Sequence, residues 1–443
     1  MRKLGFGLWQ IVLALFFNCI LLWTLTPISG VLKALLICVL CTLYITYNIV
    51  SGGRSREDKK LNGIANGAYL LEGAIVQSVV QTAVIVLAAI FTDCSVVRQI
   101  INGVFGYFFI GVTAFNGIIR TAVNSRQVKI KWYIILLFTW YLPVINVFII
   151  SHICKISKRE LRFEQAKQDL DNVRRESEIC KTKYPILMVH GIFFRDWQLL
   201  NYWGRIPKEL IRNGATIYYG KQQSANRVDV SAGELRDQIL RVINETGAEK
   251  LNIIAHSKGG LDSRYAISRL GMDKYVASLT TINTPHYGCK FVDGILAKVS
   301  DGFFNFVDRR YNKLFTVLGD TAPSFRNGVE ELTYASCQRF NEQTPNAEGV
   351  YYHAVMSKMN SVKAAGFPLN LGYMLNKKHG SGNDGLVTVE SGLWGESPMI
   401  INHSGKRGIS HGDMIDLFRE NIDGFDVREF YVDLVKDLKN KGF

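Results

Sequence analysis

Long apolar runs fill the first third of the chain, and shorter ones alternate with polar stretches in the rest. Five of the long runs come close to or exceed the roughly 20 residues that a helix needs to cross a bilayer. They cover residues 6–25, 32–50, 69–91, 100–118 and 132–153. The pattern predicts an α-helical transmembrane bundle over residues 1–153, with a kink at Pro143 in its last span.

Basic residues between the runs indicate how this bundle is oriented. Residues 1–153 contain 12 Lys and Arg against 4 Asp and Glu, and eight of the basic ones lie in connections 51–61 and 120–131. Short cytoplasmic loops collect Lys and Arg, so both connections and the N-terminus are expected in the cytoplasm. Five crossings then give a multi-pass cell-membrane protein whose C-terminal part is extracellular. A re-entrant segment at residues 100–118, which contain several Gly and Asn, would reverse that side.

Charge and polar content limit the functions that we expect of residues 1–153. The chain carries a formal charge of +14, but its basic residues lie between apolar runs, so we expect no nucleic-acid partner. Gln77 and Gln81 lie one helical turn apart and line a polar pathway or, as we prefer, form interhelical hydrogen bonds. Because no run carries a series of ionisable residues, a transporter with an accessory domain is disfavoured. We interpret the bundle as an anchor.

The remainder of the chain has the pattern of an α/β domain. Residues 154–183 are charged with apolar residues at irregular intervals, which predicts a helical stalk or linker. In residues 184–443, apolar strand-like runs alternate with helical patterns, which predicts a mostly parallel, doubly wound sheet. The strands are expected at residues 184–190, 215–219, 251–255 and 277–282, and the first helices at residues 203–211 and 231–246. Ser231 and Glu234 have the spacing of a capping box.

Ser257 is the candidate nucleophile. The sequence AHSKGG at residues 255–260 follows a buried strand and opens a helix. A serine on such a turn, with small residues two before and two after, is a nucleophile elbow. Ala255 stands where a glycine is usual, and Gly259 keeps the second small position. The alternative is a serine that only caps the helix.

The other members of a serine-hydrolase site are sought by chain order, in which an acid and then a histidine follow the serine. Asp384 lies in a glycine-rich loop beside a short apolar run, and His411 lies in a loop before a helical pattern. His403 is the alternative base. The backbone amides of Ile192, after the first strand, and Lys258, after the serine, are placed to form the oxyanion hole. His190 and His256 are expected to be structural.

Several motifs in order resemble those of bacterial triacylglycerol lipases. They are YPILMVHGI from residue 184, AHSKGG, TINTPHYG from residue 281, NDGLV from residue 383 and HGD from residue 411, with further likeness at residues 332–341 and 350–352. The resemblance covers about residues 184–420 and implies an α/β-hydrolase fold. Residue by residue, Ser257, Asp384 and His411 match the triad, and Ile192 and Lys258 match the oxyanion-hole amides.

The resemblance also implies a lid and, in some relatives, a metal. Residues 291–315 are rich in phenylalanine and could form a helical lid, or an ordinary packed helix pair. Some relatives bind calcium through a carboxylate two residues after the histidine, here Asp413. No second carboxylate is evident upstream of Asp384, so we expect no cofactor, with structural calcium as the alternative.

We therefore expect a membrane-anchored serine ester hydrolase that acts on lipid or acyl esters, with no protein partner indicated. An acyltransferase that uses the same acyl-enzyme and a non-catalytic binding domain are the alternatives. Cys289 and Cys337 flank the lid segment and either form a disulfide or stay as two buried thiols. Among the eight cysteines, Cys38 and Cys41 have CxxC spacing but lie inside an apolar run, and no Cys/His spacing indicates a zinc site.

Overall fold

The computed structural model describes residues 2–50, 58–139, 141–192, 201–223, 225–378, 380 and 382–443. It divides into two compact units, Met1–Asp169 and Leu170–Phe443. Part of the first predicted basic connection, Trp140 of the fifth apolar run and His379 lie outside the described residues.

The N-terminal unit is helical. Its helices are α1 (Arg2–Phe17), α2 (Cys19–Leu25), α3 (Gly30–Val50), α4 (Lys59–Phe91), α5 (Val96–Asn124), α6 (Ile130–Phe138) and α7 (Pro143–Arg174), the last of which ends in the second unit. Within the described residues, α3, α4 and α5 are long and apolar enough to cross a membrane. The α1–α2 pair is bent by 67° and would count as a fourth span if it crosses as one broken helix.

The fifth predicted span is not a single helix. Its residues are divided between α6, of 9 residues, and α7, of 32 residues, which starts at Pro143 and continues through most of the predicted stalk. Proline suits the first turn of a helix, where its missing N–H has no partner to lose, but it disrupts a helix interior. The proline therefore marks a helix start where the sequence predicted a kink.

Buried amides join the helices of this unit. Gln77 Nε2 donates to the side-chain and main-chain oxygens of Gln10, at 2.9 and 2.8 Å. Gln81 and Asn18 exchange two side-chain hydrogen bonds of 2.9 and 3.1 Å. These contacts connect α4 to the α1–α2 region, so both glutamines form the interhelical bonds that the sequence analysis preferred.

The C-terminal unit is built on a parallel sheet. Its described strands are β1 (Ile186–Val189), β2 (Ile217–Tyr219), β3 (Leu251–His256), β4 (Val276–Ile282), β5 (Tyr351–Ser357) and β6 (Ser397–Ile401), in the order β2-β1-β3-β4-β5-β6. Its α-helices are α8 (Ile206–Arg212), α9 (Val228–Thr246), α10 (Lys258–Arg269), α11 (Lys290–Leu296), α12 (Asp301–Val317), α13 (Phe325–Glu330), α14 (Tyr334–Gln343), α15 (Leu369–Asn376), α16 (Val389–Gly392) and α17 (Val427–Asn440).

Both faces of this sheet are covered, as in a doubly wound fold. Alternate residues of a strand point to opposite faces. On β1, Ile186 and Met188 pack into one apolar cluster with residues of α8 and α17. Leu187 and Val189 pack into another with residues of α9 and α10. The predicted α/β-hydrolase architecture, preceded by apolar helices, is confirmed.

Two predicted helix boundaries are wrong. Helix α9 starts at Val228, with Arg227 as its N-cap residue, so Ser231 lies inside the helix and caps nothing. Glu234 instead accepts a hydrogen bond from the backbone N–H of Gln223 at 2.7 Å. The helix predicted after His411 is only a 3-10 turn, Asp413–Ile415. Tertiary contacts override the local pattern at both places.

Candidate active site

Ser257 occupies a strained turn between β3 and α10. Its backbone has φ 54° and ψ −131°, a region that non-glycine residues rarely enter. The turn is held because Ser257 N–H donates to the Ile282 carbonyl at 2.9 Å. A Cβ atom added to Gly259 would lie 2.3 Å from the His190 carbonyl oxygen. Glycine is therefore required two residues after the serine, as the elbow pattern predicts.

Asp384 and His411 meet although 27 residues separate them. Their side chains form a hydrogen bond of 2.6 Å between His411 Nδ1 and Asp384 Oδ2. A carboxylate can only accept, so Nδ1 carries the proton and Nε2 is left as the basic nitrogen. Asp384 Oδ1 accepts from the amides of Leu386 and Val387 at 2.9 and 2.8 Å. The acid is fully buried and fixed by its own loop.

His256 connects this pair to the nucleophile turn. It immediately precedes Ser257, and its ring centroid lies 4.5 Å from that of His411. Its Nδ1 pairs with the Tyr202 hydroxyl at 2.7 Å. Burial, and then the neighbouring His411, lower the pKa of His256 well below its ordinary value. His256 is therefore a neutral packing group, and the ring of His411 lies beside the residue that precedes the serine.

The other candidate histidines bond to main-chain oxygens, to a hydroxyl group or, for His286, to the guanidinium of Arg264 at 3.2 Å. The buried His190 ring pairs with the Gln222 carbonyl at 2.9 Å. His403 pairs with the Asp423 carbonyl at 2.6 Å in an exposed loop. His286 contacts Thr281 Oγ1 at 3.0 Å and is completely buried. Among the described histidines that follow Ser257, His411 is the one bonded to a carboxylate.

The two proposed oxyanion donors border the serine. A Cβ atom added to Gly191 would lie 2.8 Å from Ser257 Cβ, so the chain leading into Ile192 passes directly against the nucleophile. Lys258 is the first residue of α10, where backbone N–H groups have no intrahelical partner. Such free amides, together with the positive end of the helix dipole, favour negative charge beside Ser257.

A buried ion pair supports α10 directly behind the nucleophile. Lys258 Nζ donates to Asp262 Oδ1 at 2.6 Å and to Ser231 Oγ at 3.2 Å. Both charged side chains are almost completely buried. Burial raises the pKa of Asp262 to about 6, although Lys258 opposes the shift. Sequence reasoning missed this pair, for which the i, i+4 spacing on one helix was the available signal.

Asp413 fixes the loop that carries His411. Its two oxygens accept from Arg407 at 2.6 and 3.0 Å. Oδ2 also accepts from the backbone N–H and the hydroxyl of Ser410, each at 2.7 Å. Because an arginine already neutralises this carboxylate, the residues here do not fit a calcium site.

The predicted lid segment forms α11 and α12. Its phenylalanines point in both directions, since Phe291, Phe304 and Phe315 are buried whereas Phe303 and Phe306 are exposed. Both flanking cysteines are free thiols, so they do not pair. The Cys289 thiol donates to the Leu386 carbonyl at 2.8 Å, and burial raises its pKa to about 12.

Known proteins are similar to parts of this chain. Residues 185–364 match the family described as Palmitoyl protein thioesterase. Triacylglycerol lipase 2 of Saccharomyces cerevisiae is 29% identical over 266 residues, which are 55% of this chain and 75% of the relative. The triacylglycerol lipase of Pseudarthrobacter phenanthrenivorans is 32% identical over 178 residues, 38% of this chain and 55% of the relative. The Staphylococcus hyicus lipase structure covers 59% of this chain and 97% of its own, at 16% identity and a TM-score of 0.46.

The chain spans about half the length of the Pseudarthrobacter phenanthrenivorans relative and three quarters of the yeast one. The curated homologues support an ester hydrolase of the lipase/esterase type.

Proposed function

We propose that the chain is a membrane-anchored serine hydrolase that cleaves lipid or acyl esters through an acyl-enzyme on Ser257. The premise is its homology to triacylglycerol lipases. The observation that carries the proposal is the 2.6 Å hydrogen bond between His411 and Asp384, next to the strained Ser257 turn. A serine needs a base and an orienting acid to become a nucleophile at neutral pH, and these residues supply both.

Each residue has one task in the proposed reaction. His411 Nε2 takes the hydroxyl proton as Ser257 Oγ attacks the ester carbonyl carbon, and the Ile192 and Lys258 amides stabilise the resulting oxyanion. Collapse of the intermediate releases the alcohol, which receives the proton from His411. Water then repeats the sequence on the acyl-enzyme and releases the acid. Asp384 keeps the imidazole in the required tautomer and stabilises its protonated form.

The leaving group is the open part of this proposal. Oxygen esters are favoured by the similarity to triacylglycerol lipases. A thioester is the second candidate, because residues 185–364 match a thioesterase family. The same acyl-enzyme serves both, since only the atom that leaves the carbonyl carbon differs.

The apolar helices of the first unit support membrane anchoring. Helices α3, α4 and α5 are long and apolar enough to span a bilayer. With a cytoplasmic N-terminus, the basic connections favour an extracellular hydrolase unit if residues 132–153, divided between α6 and α7, cross the membrane as a fifth, broken span. Protease added to intact cells tests on which side of the membrane the hydrolase unit lies. Digestion beyond residue 170 supports the extracellular side, and digestion only after lysis contradicts it.

A substrate panel tests the activity. The full-length chain in detergent is assayed with paired oxygen esters and thioesters of short, medium and long acyl chains, and acid release is measured. We expect turnover that Ser257→Ala and His411→Ala each nearly abolish, because the two residues act as a unit. Turnover that survives both substitutions, or that His403→Ala abolishes while His411→Ala does not, would overturn the site assignment.

A further inference from the structure

Helix α15 presents an apolar surface to the outside of the hydrolase unit. Its inward residues Leu369, Gly372 and Asn376 are buried. On the outer side Met374 is 52% exposed, and Phe367, just before the helix, is 80% exposed. Leu371 and Leu375 extend the same exposed surface. We call Phe367, Leu371, Met374 and Leu375 the α15 patch.

The α15 patch lies over the loops that hold the proposed acid and base. A Cβ atom added to Gly372 would lie 1.9 Å from the carbonyl oxygen of Gly385, the residue after Asp384. Asn376 Nδ2 donates to the Leu386 carbonyl at 3.0 Å. A Cβ atom added to Gly412, next to His411, would lie 3.7 Å from a methyl group of Leu369. Whatever binds the patch therefore comes close to the site.

The charged residues that flank the α15 patch in the sequence are lysines. Residues 349–383 contain four lysines and no Asp or Glu. Lys363 precedes the helix, Lys377 and Lys378 follow it, and all three are exposed. Glu390 lies against Gly380, beyond the end of the helix. Exposed apolar side chains bordered by lysines favour binding to a lipid bilayer, in which an apolar interior lies beneath anionic headgroups.

We propose that the α15 patch docks onto an anionic lipid bilayer and so brings the site to acyl esters in that membrane. The inference rests on the proposed ester-hydrolase function, because it specifies the surface on which the substrate lies. An apolar patch buried at the headgroup boundary contributes hydrophobic affinity, and each lysine adds attraction to anionic headgroups.

Photo-crosslinking of the full-length chain tests this docking. The chain is reconstituted in nanodiscs of phosphatidylcholine, with or without phosphatidylglycerol, and carries p-benzoylphenylalanine at position 367. The matched control carries it at Ile211, which is also apolar, exposed and next to basic residues in the same unit. We expect lipid adducts at position 367 in excess of those at position 211, and more of them in the anionic nanodiscs.

Lysine substitution and added salt distinguish the electrostatic part of the membrane affinity from the hydrophobic part. Each lysine near an anionic surface is expected to strengthen binding about fivefold. Replacing Lys363, Lys377 and Lys378 by serine should lower the adduct yield in anionic nanodiscs to that in neutral ones. Added salt should do the same, since it screens exposed charges. A yield that responds to neither would overturn the charge argument.

Two outcomes would overturn the docking itself. One is equal lipid labelling at positions 367 and 211. The other is adducts of position 367 with protein, which would assign the patch to a second copy or to another segment of the chain. Hydrolysis of a short soluble ester is measured on the same samples. Activity without preferential lipid labelling refutes the docking alone, whereas lipid labelling without activity refutes the proposed function alone.

Discussion

The buried ion pair behind the nucleophile makes a strong prediction about stability. Lys258 and Asp262 are joined at 2.6 Å, with side chains only 2% and 4% exposed. Replacing Asp262 by leucine leaves the Lys258 ammonium buried with Ser231 Oγ as its remaining partner. Replacing Lys258 by methionine leaves the carboxyl group buried instead. The double variant removes both charges and keeps an apolar filling.

Magnitudes follow from the cost of a buried charge. Breaking such a pair by removing one partner costs about 3–5 kcal/mol, whereas replacing both by apolar residues is often neutral or stabilising. For a unit of this size, about 2–4 °C per kcal/mol gives a midpoint lowered by roughly 6–20 °C in Asp262→Leu. The double variant should unfold close to the wild type.

The Lys258→Met variant has a predicted pH dependence. Burial already raises the pKa of Asp262 to about 6 in the folded wild type, and loss of the lysine raises it further. An acid whose folded pKa is raised contributes stability that is present at low pH and lost as pH rises through that pKa. The deficit of this variant relative to the wild type should therefore be small below pH 6 and grow above it.

Thermal unfolding of the full-length chain in detergent, followed by near-UV circular dichroism, measures all four proteins. The expected result is a double variant much more stable than the sum of the single losses, as a double-mutant cycle requires for interacting residues. Losses that add would show that the two side chains do not interact. If the stability lost in Lys258→Met did not change with pH, this would contradict a buried Asp262 carboxyl group with a raised pKa.

Three further predictions concern the elbow, the His411 loop and a thiol. Gly259→Ala should abolish activity and the yield of folded protein, because the added Cβ would lie 2.3 Å from a carbonyl oxygen. The control Gly233→Ala should be tolerated, because a Cβ there would have no atom within 4 Å. Arg407→Met should lower kcat at least tenfold with little change in KM, because the loop that carries His411 is then less firmly held. Added calcium should not restore kcat. An unchanged kcat would refute this role of Arg407. Cys289 should not react with maleimide in the native protein, since it is buried and its pKa is raised to about 12. It should appear as a free thiol in non-reduced peptides, and a disulfide there would contradict the structure.

Local pattern sufficed where the chemistry depends on neighbouring residues. The turn at Ser257 requires a strand before it, a helix after it and small side chains beside it, and all three are visible within about ten residues. Chain order then selected Asp384 and His411, which the structure places in contact. The alternation of apolar runs likewise predicted the parallel sheet.

Contacts between distant segments could not be predicted in the same way. Ser231 and Glu234 have the spacing of a capping box, yet Ser231 lies near Lys258 and Glu234 binds Gln223. Hydropathy alone joined the residues around Pro143 into one span, although the proline starts a new helix. In each case a side chain has a tertiary partner or a backbone constraint that a one-dimensional pattern does not contain.

Covalent labelling of Ser257 tests the central claim most directly. The full-length chain is treated with a fluorophosphonate, which reacts with serines activated by a base, and the labelled peptide is identified by mass spectrometry. We predict one adduct, on the peptide that contains Ser257, which is lost in Ser257→Ala and strongly reduced in His411→Ala. Unlabelled wild-type protein that is nevertheless folded, or an adduct on another serine, would contradict the proposed nucleophile.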